Sequence, residues 1–304
     1  MIVSLHATWR RVIRLASALV LAAANATGAE RAISPGSEAE RWAAVGILQV
    51  AGGGFCSAAL LDQRTVLTAA HCVYPEGRRR VFDPANITFF AGWRDGLTAA
   101  QRQAIRVTAH RSYDAARAYD NRNIASDLAI VELSDPIDAG AAQAFGHMDK
   151  VRVGEDVVIV SFSGRRSDIA TLADGCEVQS RDGDILILSC GSSPGMSGAP
   201  VFAFVNGKPR IIALISGSRI DPYSGKSNAI ALAVERPLRR VQIDAKATRT
   251  TMRDAMPGWS GRNLGAQPSL PPAVAKKVRA GSGGGLSALT GSGGARTIVR
   301  PPSN

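Results

Sequence analysis

Three short stretches carry residue types suited to nucleophilic catalysis. A serine, Ser197, stands bare between small residues in "GMSGAP", just ahead of an apolar run. A histidine, His71, closes the small-residue string of "TVLTAAHCV", and an aspartate, Asp127, opens the strongly apolar "SDLAIVEL". A serine hydroxyl attacks a carbonyl efficiently only when a base takes its proton and a carboxylate holds the imidazolium that results. Histidine suits the base because its unperturbed pKa lies near neutrality. Taken singly, each residue has an ordinary structural reading: a packed histidine, a turn aspartate, a serine in a Gly- and Ser-rich turn. Their order and contexts together point to chemistry. The other histidines need no such role: His6 lies in the leader, while His110 and His147 are expected to pack locally or face solvent.

The elements that must position these residues are short apolar runs broken by turn residues. Before residue 135 they are 45–51, 56–62, 65–70, 86–92, 104–110 and 128–133; after 155 they are 156–164, 176–180, 184–190, 199–205, 210–217 and 228–234. Asn-Gly in "VNGKP" marks a hairpin between two of them. Long helical periodicity is scarce, so the chain reads as all-β, built of barrels or sandwiches. The strand-poor stretch 133–155 divides two sets, and "VERPLRRVQIDA" (234–245) reads as a short closing helix with Pro237 near its first turn.

Charge isolates the core from its flanks. Residues 1–29 carry +3, residues 245–304 carry +8, and the net charge of +11 leaves 30–244 neutral. That distribution argues against a nucleic-acid-binding core. The first segment has basic Arg10, Arg11 and Arg14, an apolar stretch from Leu15 to Ala24 and small residues at A-x-A spacing, the pattern of a secretory leader cleaved near Ala26 or Ala29. It is too short to span a bilayer as an anchor. The last segment is rich in Gly, Ser and Pro with "GSGG" twice, and is expected to be disordered, since it has little apolar surface to bury. An exported protein meets an oxidising compartment, so Cys56, Cys72, Cys176 and Cys190 are expected in disulfides. Four cysteines allow three pairings; the two close-spaced pairs are the most economical. A zinc site is the rival, weakened by the lack of any C-x-x-C.

Around these residues the chain resembles the trypsin-like (chymotrypsin-fold) serine peptidases, especially the bacterial secreted branch similar to the V8-like glutamyl endopeptidases. The likeness covers roughly residues 40–243 and rests on "FCSAALLDQRTVLTAAHCV", "SDLAIVEL" and "GSSPGMSGAPVF". It implies two six-stranded antiparallel β-barrels, about 40–135 and about 155–243, with the active site between them, and a Cys56–Cys72 bridge. It implies His71 as general base, Asp127 as its orienting partner, Ser197 as nucleophile, and the N–H groups of Gly195 and Ser197 as oxyanion hole. Two departures stand out. Met196 occupies the place of the aspartate that receives the new N-terminus in trypsin-like zymogens, and no "IVGG" start exists, so that activation route is excluded. In the specificity pocket, offset from Ser197 puts Gly191 where basic-selecting members keep an aspartate, with Ser192 beside it. "LISGS" supplies the opposite wall as Ser216 and Ser218, and Ile215 stands where V8-like enzymes keep a glutamate-selecting histidine. The resemblance therefore implies an exported (secreted or periplasmic), monomeric serine endopeptidase acting on protein or peptide, with small or uncharged P1 preference, no cofactor and no metal. Two other functions compete: a catalytically silent homologue serving as a binding module, and a protein that uses its basic tail to contact anionic surfaces.

Overall fold

The computed structural model describes residues 30–117, 119–148, 150–164, 166–255 and 298–299. The expected leader, and the tail apart from residues 245–255 and 298–299, lie outside the described residues.

A short strand β1 (Glu30–Ala32) and a one-turn helix α1 (Ser37–Arg41) lead into the first barrel. Its strands are β2 (Val45–Val50), β3 (Phe55–Leu60), β4 (Thr65–Thr68), β5 (Ile87–Ala91), β6 (Ala100–Ala109) and β7 (Ala129–Leu133), closed in the order β2-β3-β4-β7-β6-β5. A one-turn helix α2 (Asn121–Ile124) sits between β6 and β7. The second barrel comprises β8 (Asp156–Ser163), β9 (Arg166–Asp182), β10 (Ile185–Leu188), β11 (Pro200–Val205), β12 (Lys208–Ile220) and β13 (Ser227–Ala233). Pairing of β9 with β8 closes this ring, and β1 adds to its outside along β9. Every pairing between the named strands of the described residues is antiparallel.

The strands follow from their composition. β5 alternates buried and half-buried along "ITFFA", the period of a strand with one face on the core. β3 is buried at every position, because its inner face fills barrel one while its outer face meets barrel two. An aromatic cluster joins the barrels. Trp42, before β2, and Phe145, in the connecting stretch, both pack on Phe202 of β11, with ring centroids 5.0 and 4.7 Å away. Such pairs add about 0.5–1.5 kcal/mol each beyond the area they bury.

The closing helix is longer than its sequence suggested: α3 runs from Glu235 to Ala255. Leu238, Val241 and Ala245 are buried on one face, the spacing of an amphipathic helix, and Pro237 in the first turn disrupts no interior hydrogen bond. Arg236 bonds Asp184 of the β10–β9 turn at 2.7 Å and Arg249 reaches Glu132 of β7 at 3.2 Å. The helix thus straps one barrel to the other, and residues 245–255 are helix rather than the disordered tail expected from composition. A further piece of that tail, β14 (Ile298–Val299), pairs with β12 at Ser218 and Arg219.

The disulfides are the close-spaced pairs, Cys56–Cys72 and Cys176–Cys190, one in each barrel. Cys56, His71 and Cys72 lie together as a possible ligand group, but both sulfurs are spent in the bridge, so only the imidazole remains to bind a metal. The bridges span 16 and 14 residues, worth roughly 3 kcal/mol each in the chain-entropy account. Replacing Cys176 and Cys190 together by serine is expected to lower stability by about that amount, read as a shift in the denaturant midpoint at unchanged slope. A midpoint that does not move would show the bridge to be strained or redundant.

Candidate active site

His71 is delivered by the end of β4. The chain leaves the strand at Thr68 and enters a single 3-10 turn, Ala70–Val73, which the Cys56–Cys72 bridge ties back to β3. Asp127 arrives from the other direction, at the mouth of β7, which pairs with β4. The turn before it is built by side chains: Asp120 caps α2 by accepting from the Asn123 N–H, and the buried Asn123 amide bonds both backbone groups of Asp114.

Asp127 is fully buried, and a bare carboxylate there would be costly. Three donors surround it. Oδ1 accepts the backbone N–H of His71 at 2.9 Å; Oδ2 accepts from His71 Nδ1 at 2.8 Å and from the Ser216 hydroxyl at 2.5 Å. A carboxylate facing Nδ1 places the ring proton there and leaves Nε2 with its lone pair, the tautomer a general base needs. Nε2 itself has no hydrogen-bond partner among the described residues. Behind Ser216 stands Tyr119, whose hydroxyl lies 2.8 Å from the Ser216 Oγ. Burial, and then the nearby Asp127 charge, push the Tyr119 phenol well above its ordinary pKa, so it stays a neutral hydrogen-bonding group.

Ser197 lies on the loop before β11. Gly198 presses this loop onto the His71 segment: a Cβ at Gly198 would sit 2.9 Å from the Ala69 nitrogen. The serine loop is thereby held against the strand end that leads to His71, and among the described residues the two side chains are not hydrogen-bonded. Such contacts are often loose before substrate binds. Gly195 has φ of +91°, which favours glycine. The Pro194 carbonyl is drawn off by the Gly164 N–H at 2.6 Å, while the carbonyls of Gly195 and Ser197 accept from the Ser57 N–H at 3.0 and 2.9 Å. No backbone carbonyl among the described residues accepts the N–H groups of Gly195 or Ser197. Beside His71 a cleft of about 140 Å³ opens, lined by Phe55, the disulfide, Tyr74, Tyr113 and Tyr119.

The pocket residues fare differently. Gly191 faces Ser227 at the start of β13, 3.4 Å from a Cβ placed on Gly191 to the Ser227 Cβ, and the Ser192 hydroxyl donates to the Gly217 carbonyl at 2.8 Å. Ser218 is half-buried on β12. Two expectations need correction. Ser216 does not offer its side chain to the pocket, because its hydroxyl is held between Asp127 and Tyr119. Ile215 is 1% exposed and packs in the core of barrel two, so it forms no pocket wall. The cause is a register shift in β12 between Ile215 and Gly217, which an offset count along the chain does not register. Ser57, Tyr119 and Ser227 escaped the sequence reading. The hint for Ser57 was a lone polar residue inside the apolar "FCSAAL"; Tyr119 and Ser227 left no signal.

Two closed antiparallel barrels of this connectivity, with the histidine and carboxylate on one and the serine loop on the other, are the chymotrypsin-type fold. The chain belongs to the trypsin-like peptidase domain family, whose match runs over residues 52–213. A solved structure of a Glu endopeptidase in complex with MPD is 14% identical, with a TM-score of 0.59 over 72% of this chain and 97% of that one. The crystal structure of the protease Anisep from Arthrobacter nicotinovorans is 16% identical, with a TM-score of 0.55 over 70% of this chain and 97% of its own. No curated protein sequence matches.

Proposed function

We propose that the protein is an exported serine endopeptidase in which His71, Asp127 and Ser197 hydrolyse peptide bonds through an acyl-enzyme. The observation that carries this reading is the buried Asp127 carboxylate, satisfied by three donors and setting the tautomer of His71. His71 Nε2 takes the Ser197 proton as the hydroxyl adds to the scissile carbonyl, then returns it to the departing amine. The N–H groups of Gly195 and Ser197 receive the negative charge on the carbonyl oxygen. Water repeats the sequence to release the acid. The absent His71–Ser197 hydrogen bond is what favours the other reading, a silent binding module. Titration with a serine-reactive phosphonate decides between them: stoichiometric labelling of Ser197 supports the enzyme, and no labelling supports the module. Two disulfides fit an oxidising compartment, and the basic, apolar leader fits export.

This reading puts the P1 pocket between Gly191, Ser192, Ser218 and Ser227, and none of these residues is a carboxylate. An Arg or Lys side chain entering it would be desolvated without a counter-charge, at a large cost. Small or medium uncharged residues are therefore expected at P1, with modest discrimination, since one methylene is worth about 1–3 kcal/mol. The measurement is kcat/KM on peptides differing only at P1. A preference of about a hundredfold or more for Arg or Lys, some 2.7 kcal/mol, would overturn the assignment. The same preference for Glu, the residue named for the Glu endopeptidase of similar fold, would implicate Arg219. Its Nε is buried and unpartnered among the described residues.

A further inference from the structure

We propose that the Ser57 hydroxyl is the positioning group that holds the oxyanion hole open, acting from barrel one on a loop of barrel two. This rests on the serine-peptidase reading above. Ser57 is on β3, next to the bridged Cys56, and is fully buried. Its side chain stands among backbone groups of the other barrel. Oγ accepts the Phe162 N–H at 2.8 Å and donates to the Gly195 carbonyl at 2.8 Å, with the Phe162 carbonyl farther off at 3.3 Å.

The donor it satisfies exists because β8 is irregular. Register between β8 and β9 shifts from Ser161 to Ser163, and the Phe162 N–H is turned out of the ladder at that step. A buried N–H needs an acceptor, and among the described residues the side chain that takes this one is Ser57. The acceptor it restrains is the more consequential. Gly195, at φ of +91°, carries no Cβ to restrain its rotation. Its N–H must face the substrate oxygen, and a trans peptide plane points its C=O and N–H in opposite directions. The plane before Gly195 is fixed by Gly164 on the Pro194 carbonyl. The plane after it is fixed by Ser57, through both its N–H and its hydroxyl, together with the Met196 N–H donating to Ser193 at 3.1 Å. Alanine at 57 keeps the backbone bond and loses the other. It also strands the Phe162 N–H, so the seam between Phe162 and Gly195 is freed to rearrange.

Losing an oxyanion-hole donor outright costs about 10²–10³ in kcat; loosening one is expected to cost roughly ten- to a hundredfold, with KM changed less than about twofold. The test is Ser57→Ala in the full chain, with Ser161→Ala as control, since Ser161 is a buried hydroxyl of β8 that bonds Thr171 and does not touch the loop. Affinity for a peptide aldehyde, whose tetrahedral adduct places an oxygen in the hole, is expected to fall in parallel with kcat/KM in Ser57→Ala and to hold in Ser161→Ala. Amide hydrogen exchange over 191–199 is expected to rise in Ser57→Ala alone. Should Ser57→Ala not fold, Ser57→Thr keeps a hydroxyl at this position and is expected to retain the clamp, so the same readouts then hold at wild-type values. Unchanged exchange over 191–199 in Ser57→Ala, or raised exchange in Ser57→Thr, overturns the clamp whatever the turnover. Raised exchange with equal loss in both alanine variants assigns Ser57 to stability rather than to the hole. A wild-type chain that exchanges as expected but resists the phosphonate would instead refute the peptidase reading.

Discussion

Replacing Ser197 with alanine is expected to remove on the order of 10⁶ of kcat while leaving the fold unchanged. The loss is chemical, because alanine offers no atom to form the acyl bond. The fold should persist because residue 197 is held by its backbone, whose carbonyl accepts from the Ser57 N–H. His71→Ala is expected to cost about as much, and the double variant little more than either alone, since the serine and its base act as one unit. Single-turnover hydrolysis of a peptide ester, with near-UV circular dichroism as the fold control, checks both. Retention of most activity by Ser197→Ala would reject the assignment, and so would strictly multiplicative losses in the double variant.

The proposed triad was easier to single out in the sequence than the groups around it, for a physical reason. His71, Asp127 and Ser197 sit at strand ends in apolar contexts, and such contexts show in one dimension. Ser57, Tyr119 and Ser216 act across the seam between barrels, on partners 138, 97 and 89 residues away, and nothing local distinguishes them. Strand faces had a similar limit. β9 spans Arg166–Asp182, yet only 176–180 read as strand, because its buried positions include Ser167, Ala170, Thr171 and Ala173. Small and hydroxylated residues fill a core without producing the apolar alternation of period two. β12 read well as a strand, but its shift at Ser216 moved that side chain from the pocket to the triad. A one-residue slip exchanges the faces of a strand, and a bulge performs that slip without marking the sequence. In the tail, composition outweighed helix propensity: the helix read as ending at Ala245 continues to Ala255 through "KATRTTMRDA", which lacks the apolar stripe of Leu238, Val241 and Ala245.

The carboxylate is the site member for which geometry gives the sharpest expectation. Asp127→Asn is nearly isosteric, yet the residue has no tolerance for an amide. Both oxygens face donors: the His71 backbone N–H at Oδ1, and His71 Nδ1 with the Ser216 hydroxyl at Oδ2. An amide keeping its oxygen toward Nδ1 would aim its NH₂ at the His71 N–H, and neither donor can turn away because one of them is backbone. The opposite orientation satisfies that N–H and aims the NH₂ at Nδ1, which must then be the acceptor. Ser216 can follow, since its hydroxyl can rotate to accept from the amide and donate instead to the Tyr119 oxygen 2.8 Å behind it. The imidazole proton is thereby driven to Nε2, the atom that must be bare to take the Ser197 proton. A loss of about 10⁴ in kcat near neutral pH is expected, the size such a tautomer exchange has in measured triads, with the fold intact. Nitrogen NMR of the histidine ring reads the tautomer directly, and the kinetics read its consequence. An Asp127→Asn variant that keeps its proton on Nδ1, or loses less than about tenfold in kcat (1.4 kcal/mol), would show that Asp127 is structural and that His71 is oriented by something else.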